Sequence, residues 1–349
     1  MSGIGGTETG GLPRDEAFIG ADTAVAGEPA FESGQVAHGE PAAASEPSAH
    51  AEPAMPGERS VWRLDLAYEG TAYRGWACQP GERTVQGTIE EALAMVLREP
   101  VRLSVAGRTD AGVHAWAQVA SFTCARADLP PERLRRSLNA VLPPDIGVMR
   151  AEPAPAGFVA REAVARTYEY RLWVSPAKPV RDRAYVWPAR GRLDVALLAE
   201  AAALLPGRHD FAALTPSARL YHSCVREVYS AVWAPAEGGQ PGPASPGHSG
   251  AVGRVRPDAA GYVRAGATPR LPTDPAAPWD EAGPSEWVFT IRAGSFLHNM
   301  VRVAVGSMVD VAQGRMSVDD LAAALRSGER RRAGQTAPAR GLALVAVEY

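Results

Sequence analysis

Apolar and polar positions alternate sharply at the start of the ordered-looking part of the chain. Trp62, Leu64 and Leu66 alternate with Arg63 and Asp65, which predicts a half-buried strand from Val61 to about Tyr68. Val85, Ile89, Leu93 and Val96 then recur at helical spacing. Thr84 and Thr88 offer N-caps to that helix, Glu91 completes a capping box with Thr88, and the helix ends before Pro100. Val101 to Val105 alternates again, and Trp116 to Phe122 is a second strand-favouring run. Leu134, Leu138 and Val141 mark one face of a short helix, followed by a Pro143-Pro144 turn into a strand reaching about Ala151. The order is strand, helix, strand, strand, helix, strand, which is the split βαβ or ferredoxin-like arrangement.

The second half is again mixed. After a linker at 153–157, Ala165 to Trp173 reads as a strong strand with Tyr168, Tyr170 and Leu172 on one face. A helix is expected from Val195 to Leu205, a turn at Gly207 to Phe211, and strands at Val225–Trp233 and Trp287–Ile291. A helix from Ser295 to Gln313 follows, then one capped by Ser317 with Asp319 and Asp320 in its first turn, and a last strand from Leu342 to Tyr349. The pattern predicts an α+β fold with one half over 60–152 and another over 153–349. Residues 234–285, dense in Pro, Gly, Ala and Ser, form a low-complexity insertion in a hairpin loop. Residues 1–59 hold few large apolar side chains and read as a disordered acidic extension.

Charge changes this picture in one respect. The whole chain is −3, but residues 1–59 hold ten acidic and two basic side chains, a net of −8, so the remainder is +5. That excess is almost all arginine, Lys178 being the single lysine, and arginine suits phosphate recognition. No apolar run approaches a membrane span, and no basic patch with an apolar core opens the chain. Cys78, Cys124 and Cys224 are too scattered for a disulfide framework or a CxxC metal pair, so a cytoplasmic location is expected.

Chemistry concentrates at Ala106–Ala115, a bend with two glycines between two strands. It carries Arg108, Asp110 and His114. A carboxylate there can bind metal, act as acid or base, or act as a nucleophile. Asp110 and His114 have no further ligand cluster beside them, so no metal is expected, and no second carboxylate is identified for a glycosidase-like pair. A lone nucleophilic or electrostatic aspartate remains, with Arg108 expected to lower its pKa. The plain alternative is an Arg–Asp pair that pins a tight turn.

Seven collinear motifs carry a resemblance. Gly107-Arg108-Thr109-Asp110-Ala111-Gly112-Val113-His114-Ala115 with Gln118-Val119 resembles the signature of the TruA family of tRNA pseudouridine synthases. So do Tyr73, Gly75, Trp76 and Gln79; Asn139, Leu142, Pro143, Asp145 and Ile146; and Phe158 to Arg161 with Arg166 to Tyr170. Gly207, Asp210 and Phe211; Phe296 to Arg302 with Val305 and Gly306; and Gly341, Leu342 and Leu344 complete the set, which spans 61–349 apart from the insertion. Val159 stands where the family often has His, and the N-terminal tail and the insertion have no counterpart.

The resemblance implies two ferredoxin-like halves joined into one mostly antiparallel sheet with helices on one face. It implies isomerisation of uridine to pseudouridine at positions 38–40 of the tRNA anticodon stem-loop, by a homodimer, with no cofactor and no required metal. Asp110 matches the nucleophile, Arg108 the residue that flips or holds the target nucleotide, and Tyr168 the ring that packs on the flipped base. Leu297 matches an apolar wall of the pocket, and Arg302 the cation that pairs with the carboxylate. A non-catalytic tRNA-binding module on the same fold is the competing expectation.

Overall fold

Trp62, Leu64, Leu66 and Tyr68 are all buried along β1 (Ser60–Tyr68), and the residues between them are half-exposed, as one-sided burial of a strand requires. The computed structural model describes residues 59–126, 129–175, 178–236 and 285–349. The acidic extension up to residue 58 and residues 237–284 of the insertion lie outside the described residues.

Helix α1 (Val85–Leu97) starts at Thr84, whose side chain accepts from the Gly87 amide, and stops at Arg98 in the left-handed region. Thr88 does not cap it: its hydroxyl donates to the Thr84 carbonyl inside the first turn. The expected strand at 101–105 pairs only over Ser104–Val105, β2. β3 (His114–Cys124), α2 (Pro131–Val141) and β4 (Ile146–Pro153) complete the first half. β5 (Ala165–Val174) opens the second half, with the short β6 (Trp187–Ala189) parallel to it.

α3 (Val195–Ala202) is capped by Asp194, and the stretch expected as a turn after it forms β7 (Gly207–Asp210) by pairing with β8 (Val225–Pro235). β9 (Ser285–Ala293) follows. The next helix, α4 (Met300–Ala312), begins five residues later than its apolar pattern suggests, because Asn299 adopts a left-handed backbone at φ 59°. α5 (Val318–Ser327) has the expected Ser317 cap, closed as a capping box by Asp320, and β10 (Leu342–Glu348) ends the sheet.

The ten strands of the described residues form one sheet in the order β4-β1-β3-β10-β5-β9-β8-β7, with β2 on β3 and β6 on β5. Seven of the nine strand pairings are antiparallel; β10 with β3 and β5 with β6 are parallel. All five helices share one continuous apolar core with the sheet, through residues such as Ile89, Leu138, Leu198, Val303 and Leu321. A second, small cluster holds Ala106, Val119, Ala160 and Ala163. Every residue of α4 is buried except Arg302, so this apolar helix aims a single half-exposed cation out of the core. No described helix is long and apolar enough to cross a membrane.

Candidate active site

The bend at 106–113 is held from several sides. The Tyr68 hydroxyl and Thr109 Oγ1 share a 2.8 Å hydrogen bond, and Gln118 Nε2 donates to both Tyr68 (3.2 Å) and the Gly107 carbonyl (2.7 Å). Burial pushes the Tyr68 phenol up to about 12, so it stays neutral. The loop after β1 lies directly against the bend. Trp76 N donates to Thr109 O at 3.0 Å, and Gly112 N to Tyr73 O at 3.2 Å. Gly75 has φ +91°, and a Cβ there would stand 2.9 Å from Thr109 O, so only glycine fits.

His114 has both ring nitrogens engaged. Nδ1 accepts from Gly70 N at 3.1 Å, which puts the proton on Nε2, 3.2 Å from the carbonyls of Ala184 and Arg340. Burial lowers its pKa and favours this neutral form, with Glu69 opposing. His114 therefore ties the bend to the start of β10.

Arg166 supports the other flank. It is buried without a carboxylate partner among the described residues, and its guanidinium donates to the carbonyls of Ala106 (2.8 and 2.6 Å), Arg161 (2.7 Å), Gly294 (2.7 Å) and Ala163.

Asp110 sits in this frame with its side chain 21% exposed. Desolvation raises its pKa, and His298, Arg302 and a backbone hydrogen bond from Asn299 oppose the rise. The expectation that Arg108 lowers this pKa fails. Arg108 is exposed and is not among the groups acting on Asp110.

The nearest basic side chain is His298, whose Nε2 lies 3.7 Å from Asp110 Oδ1. Arg302 acts from further away, because its guanidinium is held by Ala337 O (Nε, 2.8 Å) and Asn299 Oδ1 (Nη1, 2.7 Å). Asn299 also turns its amide Nδ2 toward His298 Nε2 at 3.3 Å, and Ser217 Oγ meets His298 Nδ1 at 2.9 Å. The late start of α4 produces this arrangement: Leu297, His298 and Asn299 lie in the loop before the helix. Sequence reasoning missed His298 and Asn299, although a polar pair interrupting an apolar run was a visible signal.

Tyr168 is buried on β5 with its ring edge-on to Phe296, centroids 5.0 Å apart. A Cβ on Gly107 would lie 3.5 Å from its hydroxyl, which makes no hydrogen bond among the described residues. Burial, Tyr68 and Asp110 all push its ionisation well above the ordinary phenol range. Leu297 is buried beside Phe296. Asp110 interacts electrostatically with both Tyr168 and Arg302, and Arg108, though close in sequence, is exposed and is not among the groups acting on Asp110.

The fold and site define a large α+β sheet protein with one half-buried carboxylate between two basic side chains. The chain belongs to the tRNA pseudouridine synthase family, whose model matches residues 66–161 and 201–349. It is 39% identical over 298 residues to tRNA pseudouridine synthase A of Solidesulfovibrio magneticus, covering 82% of this chain and 90% of the relative. The protein of the same name from Syntrophotalea carbinolica is 36% identical over 292 residues, covering 83% and 96%. That from Frankia casuarinae is 39% identical over 292 residues, covering 82% and 88%.

Proposed function

We propose that this protein isomerises uridine to pseudouridine at positions 38–40 of the tRNA anticodon stem-loop, with Asp110 as the nucleophile. A stem base must leave its stack before its glycosidic bond is reachable, at a cost of a few kcal/mol. Exposed Arg108 is suited to hold the displaced nucleotide, and Tyr168 with Leu297 to receive the base. The N1–C1′ bond breaks with assistance from the Asp110 carboxylate as positive charge develops on the sugar. The uracil turns in place, C5 bonds to C1′, the C5 proton leaves to a base, and N1 takes a proton. Atoms balance without a cofactor. His298 and Arg302 keep a carboxylate available despite its desolvation.

The strand order supports the reading as two ferredoxin-like halves, 60–152 and 153–349. The first runs β4-β1-β3 with β2 on β3, and the second runs β10-β5-β9-β8 with helices between the same successive strands. Homodimeric assembly and a cytoplasmic location belong to the same family-based reading.

The observation that carries the proposal is Asp110, partly desolvated at a bend, with His298 3.7 Å away and Arg302 behind it. The test is tritium release from unmodified tRNA labelled at uridine C5, without added metal. The wild type releases tritium and Asp110→Ala does not. No release from any tRNA with uridine in the anticodon stem-loop would sink the proposal, and binding without release would leave the non-catalytic module.

A further inference from the structure

A second basic site lies at the C-terminal end of α4. An open pocket of about 510 Å³ is lined by Trp187, Arg190, Gln313, Arg315, Gln335 and Arg340. Three elements meet there: β6, the end of α4, and the segment 335–340 returning to β10. Gln313 donates to the Arg190 carbonyl and joins the first two. A Cβ on Gly306 would lie 1.9 Å from Gln335 O, so the returning segment lies flat on α4.

The charges are not balanced within the protein. Arg315 is paired with Asp310, which also accepts from Gln335 N (3.0 Å) and Nε2 (2.8 Å). The guanidinium groups of Arg190 and Arg340 are exposed and make no hydrogen bond or ion pair among the described residues. Three guanidinium groups against one carboxylate leave two positive charges in one concavity. Such a field concentrates anions, and the planar fork of arginine matches a phosphate. Trp187, half-buried and edge-on to Tyr170 at 6.2 Å, adds an aromatic surface of the kind that accepts a base or ribose.

We infer that this pocket binds a backbone phosphate of the RNA beside the target nucleotide. The inference rests on the RNA substrate proposed above and adds a place where that RNA is held. The pocket runs from Arg340, three residues after the Ala337 whose carbonyl holds Arg302, to Gln313, roughly 16 Å along α4 from Arg302 by helical rise, so it can hold a phosphate next to the flipped nucleotide. The pocket is also coupled to the bend. Arg340 lends its carbonyl to His114 Nε2, and a Cβ on Gly112 would stand 3.1 Å from Ala339 Cβ. Phosphate contacts of this kind set register without reading sequence.

The test uses the full-length protein and unmodified tRNA, with affinity measured against salt. Each lost phosphate contact lowers the slope of log K on log salt by about 0.7 to 0.9. Arg190→Ala and Arg340→Ala each lower the slope by about that amount and raise KM several-fold, and Arg190→Lys recovers part of both. Arg326→Ala, an exposed arginine on α5 outside the pocket, leaves the slope as it is. Slopes equal to wild type in both pocket variants overturn the inference. Inorganic phosphate, at ionic strength matched with chloride, should weaken tRNA binding to the wild type and not to Arg190→Ala; phosphate that binds the wild type through Arg190 without weakening tRNA binding marks a small-anion site only and overturns the inference. A wild type that releases no tritium overturns the proposed function instead, so the two failures are distinct.

Discussion

His298 Nε2 stands 3.7 Å from Asp110 Oδ1, although the two residues belong to opposite halves of the chain. Its imidazole is gripped at both nitrogens, by Ser217 Oγ and by the Asn299 amide. When protonated it adds positive charge at the carboxylate, and its influence on Asp110 ranks above that of Arg302. Tyr168 and Arg302 are the other titratable or charged groups that interact with Asp110, and the His298 backbone N–H donates to the Tyr221 hydroxyl at 3.1 Å. In the proposed reaction the ionised carboxylate is the working form. Activity therefore falls as pH drops through the raised Asp110 pKa, and His298→Gln moves that acid limb to higher pH. His298 is 44% exposed, so the pair is worth at most about 1 kcal/mol, and the limb moves by less than about one pH unit. Single-turnover rates against pH measure the limb; an unmoved limb would show that His298 only fills space.

Asp110→Asn tests the same desolvation through stability. The folded pKa of Asp110 lies above its ordinary value of 3.8 because burial disfavours the charge. A raised carboxyl pKa gives stability that is complete below the unfolded value and lost as pH rises through the folded value. At neutral pH the charge therefore destabilises the fold. Asp110→Asn is expected to be more stable than wild type by on the order of 1 kcal/mol at pH 7, with catalysis lost. The gain should shrink on acidification and vanish below about pH 3.8, where wild type is protonated too. Thermal melting at both pH values checks this, and a destabilised variant at pH 7 would contradict it.

Strands with one buried face were legible because their alternation is set by a single apolar surface: β1 and β5 fall within a residue or two of their expected bounds. The Ser317 cap was legible because a cap is local chemistry. The start of α4 was not. Apolar spacing continues through Phe296 and Leu297, while the stop is imposed by Asn299, whose side chain is held by Arg302 and His298. β6 and β7 were missed because they are three and four residues long and owe their form to neighbouring strands. Asp110 was found from its bend and its motif. Of its charge partners, Arg302 came from the resemblance, while His298 was not foreseen, since nearness in sequence favoured Arg108.

Tyr168→Phe separates the ring from the hydroxyl. The ring is buried against Phe296, and the hydroxyl makes no hydrogen bond among the described residues, so its loss leaves nothing in the protein unpaired. The phenol is held far above its ordinary pKa, so it serves as a donor and not as a phenolate base. Tyr168→Phe should melt within a few degrees of wild type yet turn over more slowly at saturating tRNA. Tyr168→Ala also leaves a cavity and should lose about 3–5 kcal/mol. If Tyr168→Phe turns over at the wild-type rate, the hydroxyl has no part in the reaction.

Arg166 offers the sharpest test of how the bend is held. Its guanidinium satisfies four carbonyls, from Ala106, Arg161, Ala163 and Gly294, which lie on separate stretches of chain around the first residue of the bend. Burial works against its charge, so the hydrogen bonds must offset that penalty. Arg166→Met has similar length and leaves all four carbonyls without this donor. A loss of about 3 kcal/mol is expected, since hydrogen bonds to charged groups contribute about 1.5–3 kcal/mol each and water recovers part of them. For a folded region of this size that is a drop of roughly 6–12 °C in Tm. Arg166→Lys keeps the charge but can reach fewer of the acceptors, and should fall between the two. Because Ala106 leads directly to Asp110, the rate at saturating tRNA should fall in the same order as Tm, measured well below the melting transition. A Met variant with wild-type Tm would mean that the surrounding turns hold the bend without the arginine.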